Sequence, residues 1–303
     1  MDNLTVLSLF GGMEVFRQSF KDMGVNIIKY YSSEIYEPSI KIAKKNHNDI
    51  TQVGDITKLS KQQIIDMGKI DIIGFGFPCK NLSKTVINNI EHNQGLMGRH
   101  SKLFYEAIKI LGWIKEINPN VLFLCENVYG MPEQDKNIIT EYLGVKPILI
   151  DSGVVSAQER PRYYWTNISE DLIIIPDNKG LVIKDVMELH VNDKYYYNVN
   201  FDYYGDNIRH CADLKINGHD IIKRVYNINF KAPALTRVTG GNHQKKIYIN
   251  GRCRKLTPLE YERLQTMPDN YTEGVSDTAR YCMCGDAWTK EVIDIFVRAI
   301  KKA

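Results

Sequence analysis

A cysteine that directly follows a proline at the end of an apolar run is a candidate nucleophile. Cys79 is placed this way in Gly74-Phe75-Gly76-Phe77-Pro78-Cys79. The proline stiffens the turn that displays the thiol, and a thiolate can attack electrophilic carbon; the alternative is a small core residue. A polar, glycine-containing stretch over residues 80–101 follows before the next helical pattern, and long connections of this kind commonly act as lids or binding loops. Glu126 closes a second apolar run, Leu122-Phe123-Leu124-Cys125-Glu126-Asn127-Val128. A carboxyl there is costly to bury unless it is paired or protonated. Either it is a structural cap, or it keeps a proton that it can hand to a ligand ring. Arg160 and Arg162, in Gln158-Glu159-Arg160-Pro161-Arg162, stand two apart before a β-type run. Strand alternation would turn both to one side, towards the same ligand; the alternative is a pair of surface arginines.

Such groups need a scaffold that gathers the ends of several strands. The first half of the chain supplies the pattern, with apolar runs at 5–9, 26–32, 71–76, 121–125 and 147–151. Helical spacing separates several of them, most clearly over 102–118, where Phe104, Ala107, Ile108, Leu111 and Ile114 share a face before Pro119. Strands alternating with helices predict an α/β fold with a parallel sheet covered on both faces. In open sheets of this kind ligands lie beyond the carboxyl ends of the strands. Phe10-Gly11-Gly12 follows the first strand and opens a helix through Phe20, as a nucleotide-type cofactor turn does. Glu34 at the end of the second strand can accept two ribose hydroxyls, and Asp55 is the next acid along that edge. Taken singly, each acid is as readily a cap.

The 303 residues are 44% hydrophobic and 25% charged, with a net charge of +3, which suits one large domain or a large and a small one. No apolar run is long enough for a membrane span, and the start of the chain lacks a signal-peptide pattern. The six cysteines have no CxxC pair, so reduced thiols are expected and a zinc site at Cys282 and Cys284 is rejected. After about residue 168 the helical periodicity gives way to short β-like runs rich in Tyr, Asn and Lys, and regular helix returns at 258–265 and 287–300. Residues 207–257 hold eleven basic and two acidic residues, while the rest of the chain is net negative. That excess fits a polyanion footprint or a solvated lysine-rich face equally well.

Taken in order, several groups of residues resemble the cytosine-C5 DNA methyltransferases over nearly the whole chain. They are Phe10-Gly11-Gly12, Glu34, Asp55, Pro78-Cys79, Glu126-Asn127-Val128, Gln158-x-Arg160-x-Arg162, Arg254-x-Leu256-Thr257-x-x-Glu260-x-x-Arg263-Leu264-Gln265 and the Gly285–Trp288 turn. Pro78-Cys79-Lys80-Asn81-Leu82-Ser83, Val154-Val155-Ser156-Ala157 and Gly285-x-x-Trp288 are similar in detail to the animal de novo catalytic domain. The asparagine- and lysine-rich composition and compact size suit a prokaryotic or phage member.

The resemblance implies an S-adenosylmethionine-dependent, Rossmann-like α/β fold with a mostly parallel sheet. Residues 1–168 and 252–303 would form the catalytic domain, and 169–251 an inserted target recognition domain. It implies a methyl transfer to C5 of cytosine in double-stranded DNA at a short site, with the base flipped out. Cys79 would attack C6, Glu126 hold N3 and the exocyclic amine, Arg162 contact O2 with Arg160 in support, and Asn127 fix the loop. Phe10, Gly11, Gly12, Glu34, Asp55, Pro78 and Trp288 would hold the cofactor. Ser83, Arg209, Arg224, Arg237, Lys245 and Lys246 would contact DNA. Two departures stand out: Phe16, where the family's first loop often ends in glycine, and Asp286, where relatives carry asparagine or arginine. The implied setting is the cytoplasm, in association with the nucleoid, or the host cytoplasm for a phage product, without metal or membrane; the oligomeric state stays open, with a monomer favoured. A tRNA cytosine-C5 methyltransferase and a non-catalytic regulatory homologue are the alternatives; the second would lack the Pro-Cys and Glu-Asn-Val elements that are present here.

Overall fold

A computed structural model describes residues 3–82 and 95–303. Ser83 and most of the expected lid lie outside the described residues. Internal packing divides the chain into two units. The first comprises Met1–Ile150, Pro161–Ile175 and Ile293–Ala303; the second comprises Asp151–Arg160 and Pro176–Val292.

The first unit is built on a seven-stranded sheet of β1 (Leu4–Leu9), β2 (Ile27–Ser33), β3 (Ile50–Gln52), β4 (Ile72–Phe75), β5 (Leu122–Val128), β6 (Ile148–Asp151) and β8 (Pro161–Thr166). Their order is β3-β2-β1-β4-β5-β8-β6. Neighbours from β3 to β5 pair in parallel, whereas β8 runs antiparallel to β5. Every residue of β1 is buried, as a strand covered on both faces requires. The helices are α1 (Val15–Asp22), α2 (Glu37–Asn46), α3 (Lys61–Met67), α4 (Leu103–Ile117) and α5 (Glu133–Leu143). Phe104, Ala107, Ile110, Leu111 and Ile114 form the buried stripe of α4, and they join Leu7, Ile73, Phe75 and Phe123 in one apolar core. Periodicity had not predicted α3 or α5. A reciprocal cap between Ser60 and Gln63 starts α3, and this Ser-x-x-Gln spacing was the available signal.

The second unit contains a five-stranded sheet of β9 (Phe201–Tyr203), β10 (His210–Leu214), β11 (Arg224–Asn227), β13 (Lys246–Ile249) and β14 (Arg252–Lys255). The order is β14-β13-β11-β10-β9, with only β11 and β13 parallel. Cys211, Ala212, Leu214, Val225 and Cys253 form its small core. A separate pair joins β7 (Gln158–Glu159) to β12 (Ala232–Pro233). The helix α6 (Asp220–Lys223) is a single turn, and α7 (Pro258–Leu264) and α8 (Asp277–Asp286) also belong to this unit, while α9 (Lys290–Lys302) lies mostly in the first. The second unit therefore reaches beyond residues 169–251, for a visible reason. Gln158 Nε2 donates to the carbonyl of Leu264 at the end of α7, and its Oε1 accepts the Leu235 amide after β12. At α8, a side chain on Gly285 would collide with the Thr236 backbone. Among the described residues no helix is long and apolar enough to cross a membrane.

Candidate active site

The strand order of the first unit reverses between β1 and β4, and in open sheets the segments leaving two such neighbours diverge at their carboxyl ends, where ligands are bound. Phe10 leaves β1 there, and Pro78-Cys79 follows β4. The turn after β1 is unusual, because Phe10, Gly12 and Glu14 all have φ near +60°, the region that ordinary side chains disfavour. Long-range bonds hold it. Gly12 N donates to Glu34 Oε2 at 2.8 Å, while Glu34 Oε1 takes the amides of Ile35 and Tyr36. Gly11 has no room for a side chain, since a Cβ would run into Glu14 Oε1 and Ser32 Oγ. Phe16 lies on the buried face of α1, and Gly74 on β4 leaves space for its ring. The departure at Phe16 is thus a matter of helix–sheet packing and leaves the turn intact.

Asp55 caps the short turn Ile56–Lys58, its Oδ1 accepting from Thr57 N at 2.9 Å and Thr57 Oγ1 at 2.8 Å. Those two donors hold its carboxyl below the usual carboxylate range. An ionised carboxylate only accepts hydrogen bonds, which suits an exocyclic amine. An aromatic ring, a left-handed glycine turn and two acids at successive strand ends can hold an adenosine, so these residues fit the cofactor implied by the sequence.

Cys79 is half-buried, and none of the six cysteines is in a disulfide. Two side chains fix the backbone that presents it. Asn127 Nδ2 donates to the Phe77 carbonyl at 3.0 Å, and the hydroxyl of Ser101 donates to the Pro78 carbonyl at 3.2 Å. Asn127 Oδ1 also accepts the Val128 amide. Sequence reasoning did not single out Ser101, because its partner lies 23 positions away. The described flanks of the expected lid are packed, with Asn81, Leu82, Leu96 and Ser101 buried and Asn81 Oδ1 accepting the His100 amide. Cys125, on the strand beside β4, is fully buried; burial, then the Glu126 charge, pushes its thiol well above the usual range. It is chemically inert at neutral pH, unlike an accessible thiol.

Glu126 sits near the end of β5, and Arg162 opens the antiparallel β8 opposite Val128. Residues two apart in a strand share a face, so Arg162 reaches Glu126 Oε1 with Nε at 2.9 Å, both side chains being about an eighth exposed. The carboxyl is therefore paired with a guanidinium, one of the two ways in which its burial was expected to be offset.

Arg160 departs from the alternation argument. It lies between β7 and β8, outside either strand. Its Nη1 donates to the Leu235 carbonyl and its Nη2 to those of Gly285 and Ala287. Arg160 and Arg162 thus have different partners, and Arg160 stitches the second unit together. Trp288, half-buried just after α8, also belongs to that unit.

The basic segment is largely neutralised within its own unit. Arg209 pairs with Glu159, Lys215 with Asp202, Lys223 with Asp220, Arg237 with Asp286, Arg252 with Asp193 and Arg254 with Glu260. Lys231 donates to the carbonyls of Ser156 and Leu181. The expectation that Lys246 contacts phosphate is corrected, because its ammonium is buried against the carbonyls of Asn242 and Gln244. Burial, then Lys245 and Lys255, pull it down to about 8. Lys245 is drawn to about 8 as well, by burial and by the charges of Arg160, Arg209 and Arg224. Asp286, the second departure, has its charge matched by Arg237.

Comparison with known proteins points the same way as the geometry. The model of the C-5 cytosine-specific DNA methylase family matches residues 4–302. The chain is 27% identical to Type II methyltransferase M.HpaII of Haemophilus parainfluenzae, over 94% of this chain and 86% of that protein. It is 25% identical to Type II methyltransferase M.NlaX of Neisseria lactamica, over 98% and 96% respectively. Among solved structures, the Entamoeba histolytica methyltransferase EhMeth superposes with a TM-score of 0.73 at 16% identity, covering 100% of this chain and 99% of that one.

Proposed function

The chain belongs to the C-5 cytosine-specific DNA methylase family, and from that premise we propose that it methylates C5 of a flipped cytosine at a short site in double-stranded DNA, through a covalent bond between Cys79 and C6. The observation that carries the reading is the Pro78-Cys79 turn at the end of β4, beside the Glu126–Arg162 pair and the Phe10–Gly12 turn.

Cytosine C5 is a poor nucleophile within an aromatic ring. Addition of the Cys79 thiolate to C6 breaks the aromaticity and moves electron density to C5. Glu126 holds N3 and the exocyclic amine and offsets charge as the adduct forms, while Arg162 serves O2. Before a base enters, each keeps the other's charge paired. S-adenosylmethionine, held by Phe10, Gly12, Glu34 and Asp55, supplies an electrophilic methyl group when bound. Once C5 carries the methyl group, loss of the C5 proton returns the electron pair of that bond to the ring. The C5–C6 double bond re-forms and Cys79 leaves as the thiolate. A stacked base cannot reach a thiol at a strand end, so the target nucleotide leaves the helix.

The second unit supplies target recognition, centred on residues 169–251. Of its basic segment, the exposed Arg224 and the half-buried Lys255 are the cations for phosphate, because burial draws Lys245 and Lys246 down and most of the others meet an acid within the unit. Phosphate contacts of this kind give affinity without sequence preference.

Removal of the ribose acceptor in Glu34→Ala is expected to weaken S-adenosylmethionine binding by about 1–3 kcal/mol, the cost of an unmet polar group. Calorimetric affinity equal to the wild type would reduce Glu34 to a brace for the Gly12 amide. The substrate itself is tested by bisulfite sequencing of DNA and tRNA from cells expressing the protein. Protected cytosines recurring in one short DNA motif support the reading, and unmodified DNA alongside methylated tRNA overturns it.

A further inference from the structure

The turn that would hold the cofactor is braced from below by an acid that the reaction does not use. Glu14 is fully buried at the start of α1, and its Oε2 accepts the Tyr30 hydroxyl at 2.6 Å. The other oxygen, Oε1, is buried without a hydrogen bond in good geometry, although the Ser8 and Ser32 hydroxyls face the carboxyl. It fills the space that a side chain on Gly11 would need, so the carboxyl and the Phe10–Glu14 backbone interlock. Ionised groups are expensive in such a place unless every lone pair is satisfied. Among the described residues no cation offsets the charge directly. The charged and titratable groups around it are Tyr30 on β2, Glu34 just past β2, and Arg17 on α1. Arg17 lies over the Tyr30 ring at 6.0 Å and is paired with Asp49 at 2.6 Å.

We propose that Glu14 is a positioning residue whose proton keeps the Phe10–Glu14 turn in its binding shape, so that the neutral acid favours the cofactor and the ionised form disfavours it. A proton on Oε1 would be donated to a neighbouring serine hydroxyl and satisfy the orphan oxygen. Ionisation would leave two carboxylates against one short turn, Glu34 on the Gly12 amide and Glu14 against Gly11. Burial is the main force that lifts the Glu14 carboxyl to about 7, with the Glu34 charge adding to it and the Ser32, Tyr30 and Ser8 hydroxyls opposing it. A group raised in this way binds its proton more tightly folded than unfolded. Its contribution to stability is therefore present at low pH and is lost as pH rises from the usual carboxylate range through about 7.

The inference rests on the cofactor reading of the turn, and the experiment separates the two. Binding of S-adenosylhomocysteine is measured by calorimetry from pH 6 to 8.5 for the wild type and for Glu14→Gln, an amide that mimics the neutral acid and cannot ionise. The wild-type affinity is expected to fall by roughly tenfold across that range, within the tenfold per pH unit that one linked proton permits. The variant should keep a flat profile, which also controls for titration of the ligand. In parallel, the melting temperature of the ligand-free variant should gain on the wild type as pH rises from 5 to 8. Parallel affinity profiles in the two proteins overturn the proposal while leaving the cofactor reading intact. If the wild type binds S-adenosylhomocysteine at no pH, the cofactor reading fails and the proposal falls with it.

Discussion

Cys79→Ser is expected to lower methyl transfer by more than about a thousandfold, as loss of a covalent nucleophile does in other enzymes, while S-adenosylmethionine affinity stays near the wild-type value. A serine hydroxyl in that turn has no thiolate to offer, and no second thiol can stand in for it. Cys125 on the neighbouring strand is fully buried, and its thiol is pushed far above neutral pH. The groups proposed for the cofactor, Phe10, Gly12, Glu34 and Asp55, leave other strands, so their bonds should survive the change. A second measurement isolates the covalent step. DNA carrying 5-fluorocytosine cannot lose its C5 substituent as a proton does, so the wild-type protein should stay attached to it through Cys79 and the serine variant should not. Turnover by Cys79→Ser within a factor of about ten of the wild type would remove Cys79 from the role of nucleophile.

The largest effect on stability is expected at Arg254 and Glu260. The guanidinium and carboxylate meet in a bidentate pair, at 2.7 and 2.6 Å, with both side chains almost wholly buried. The same carboxylate accepts the Thr257 amide and so completes the cap of α7. Removing one partner of a buried pair leaves a charge without compensation, at a cost of about 3–5 kcal/mol. Arg254→Met and Glu260→Leu, each alone, should therefore shift the urea unfolding midpoint strongly, and the double variant should recover a good part of the loss. A single variant that loses less than about 1 kcal/mol would show that the pair is solvated or replaced. Because these residues lie in the second unit, well-folded variants should keep the ionic groups of the first, including Glu126 and Arg162.

The residues of the proposed site were legible because each sits at a break in a local pattern. Glu34, Cys79 and Glu126 stand where apolar runs end, and a strand's end is visible in a few adjacent residues, while Asp55 is the next acid along the same edge. The parallel pairing of β4 with β5 then brings Cys79 and Glu126 to neighbouring strands. The helix α3 escaped because it is short, and α5 because most of its surface is polar and only Asp135, Ile139 and Leu143 are buried. The charge count over residues 207–257 left the roles of the individual lysines and arginines open. Charge counts do not reveal that Lys246 points at carbonyls or that Arg237 meets Asp286, 49 positions away.

By itself the sequence determined the α/β class, the glycine turn after the first strand, the order of the chemical groups and the family they resemble, because these reside in contiguous segments where periodicity and residue type speak directly. Tertiary structure alone decided which charges are spent inside the protein. It paired Glu126 with Arg162 through the antiparallel register of β8, turned Arg160 onto three carbonyls, and set Glu14 beneath the Gly11–Gly12 turn. The physical reason is that a buried charge finds its partner across the fold, at separations from 36 to 127 residues for Glu126–Arg162 and the bonds of Arg160. A partner at that distance leaves no mark on the spacing of its neighbours.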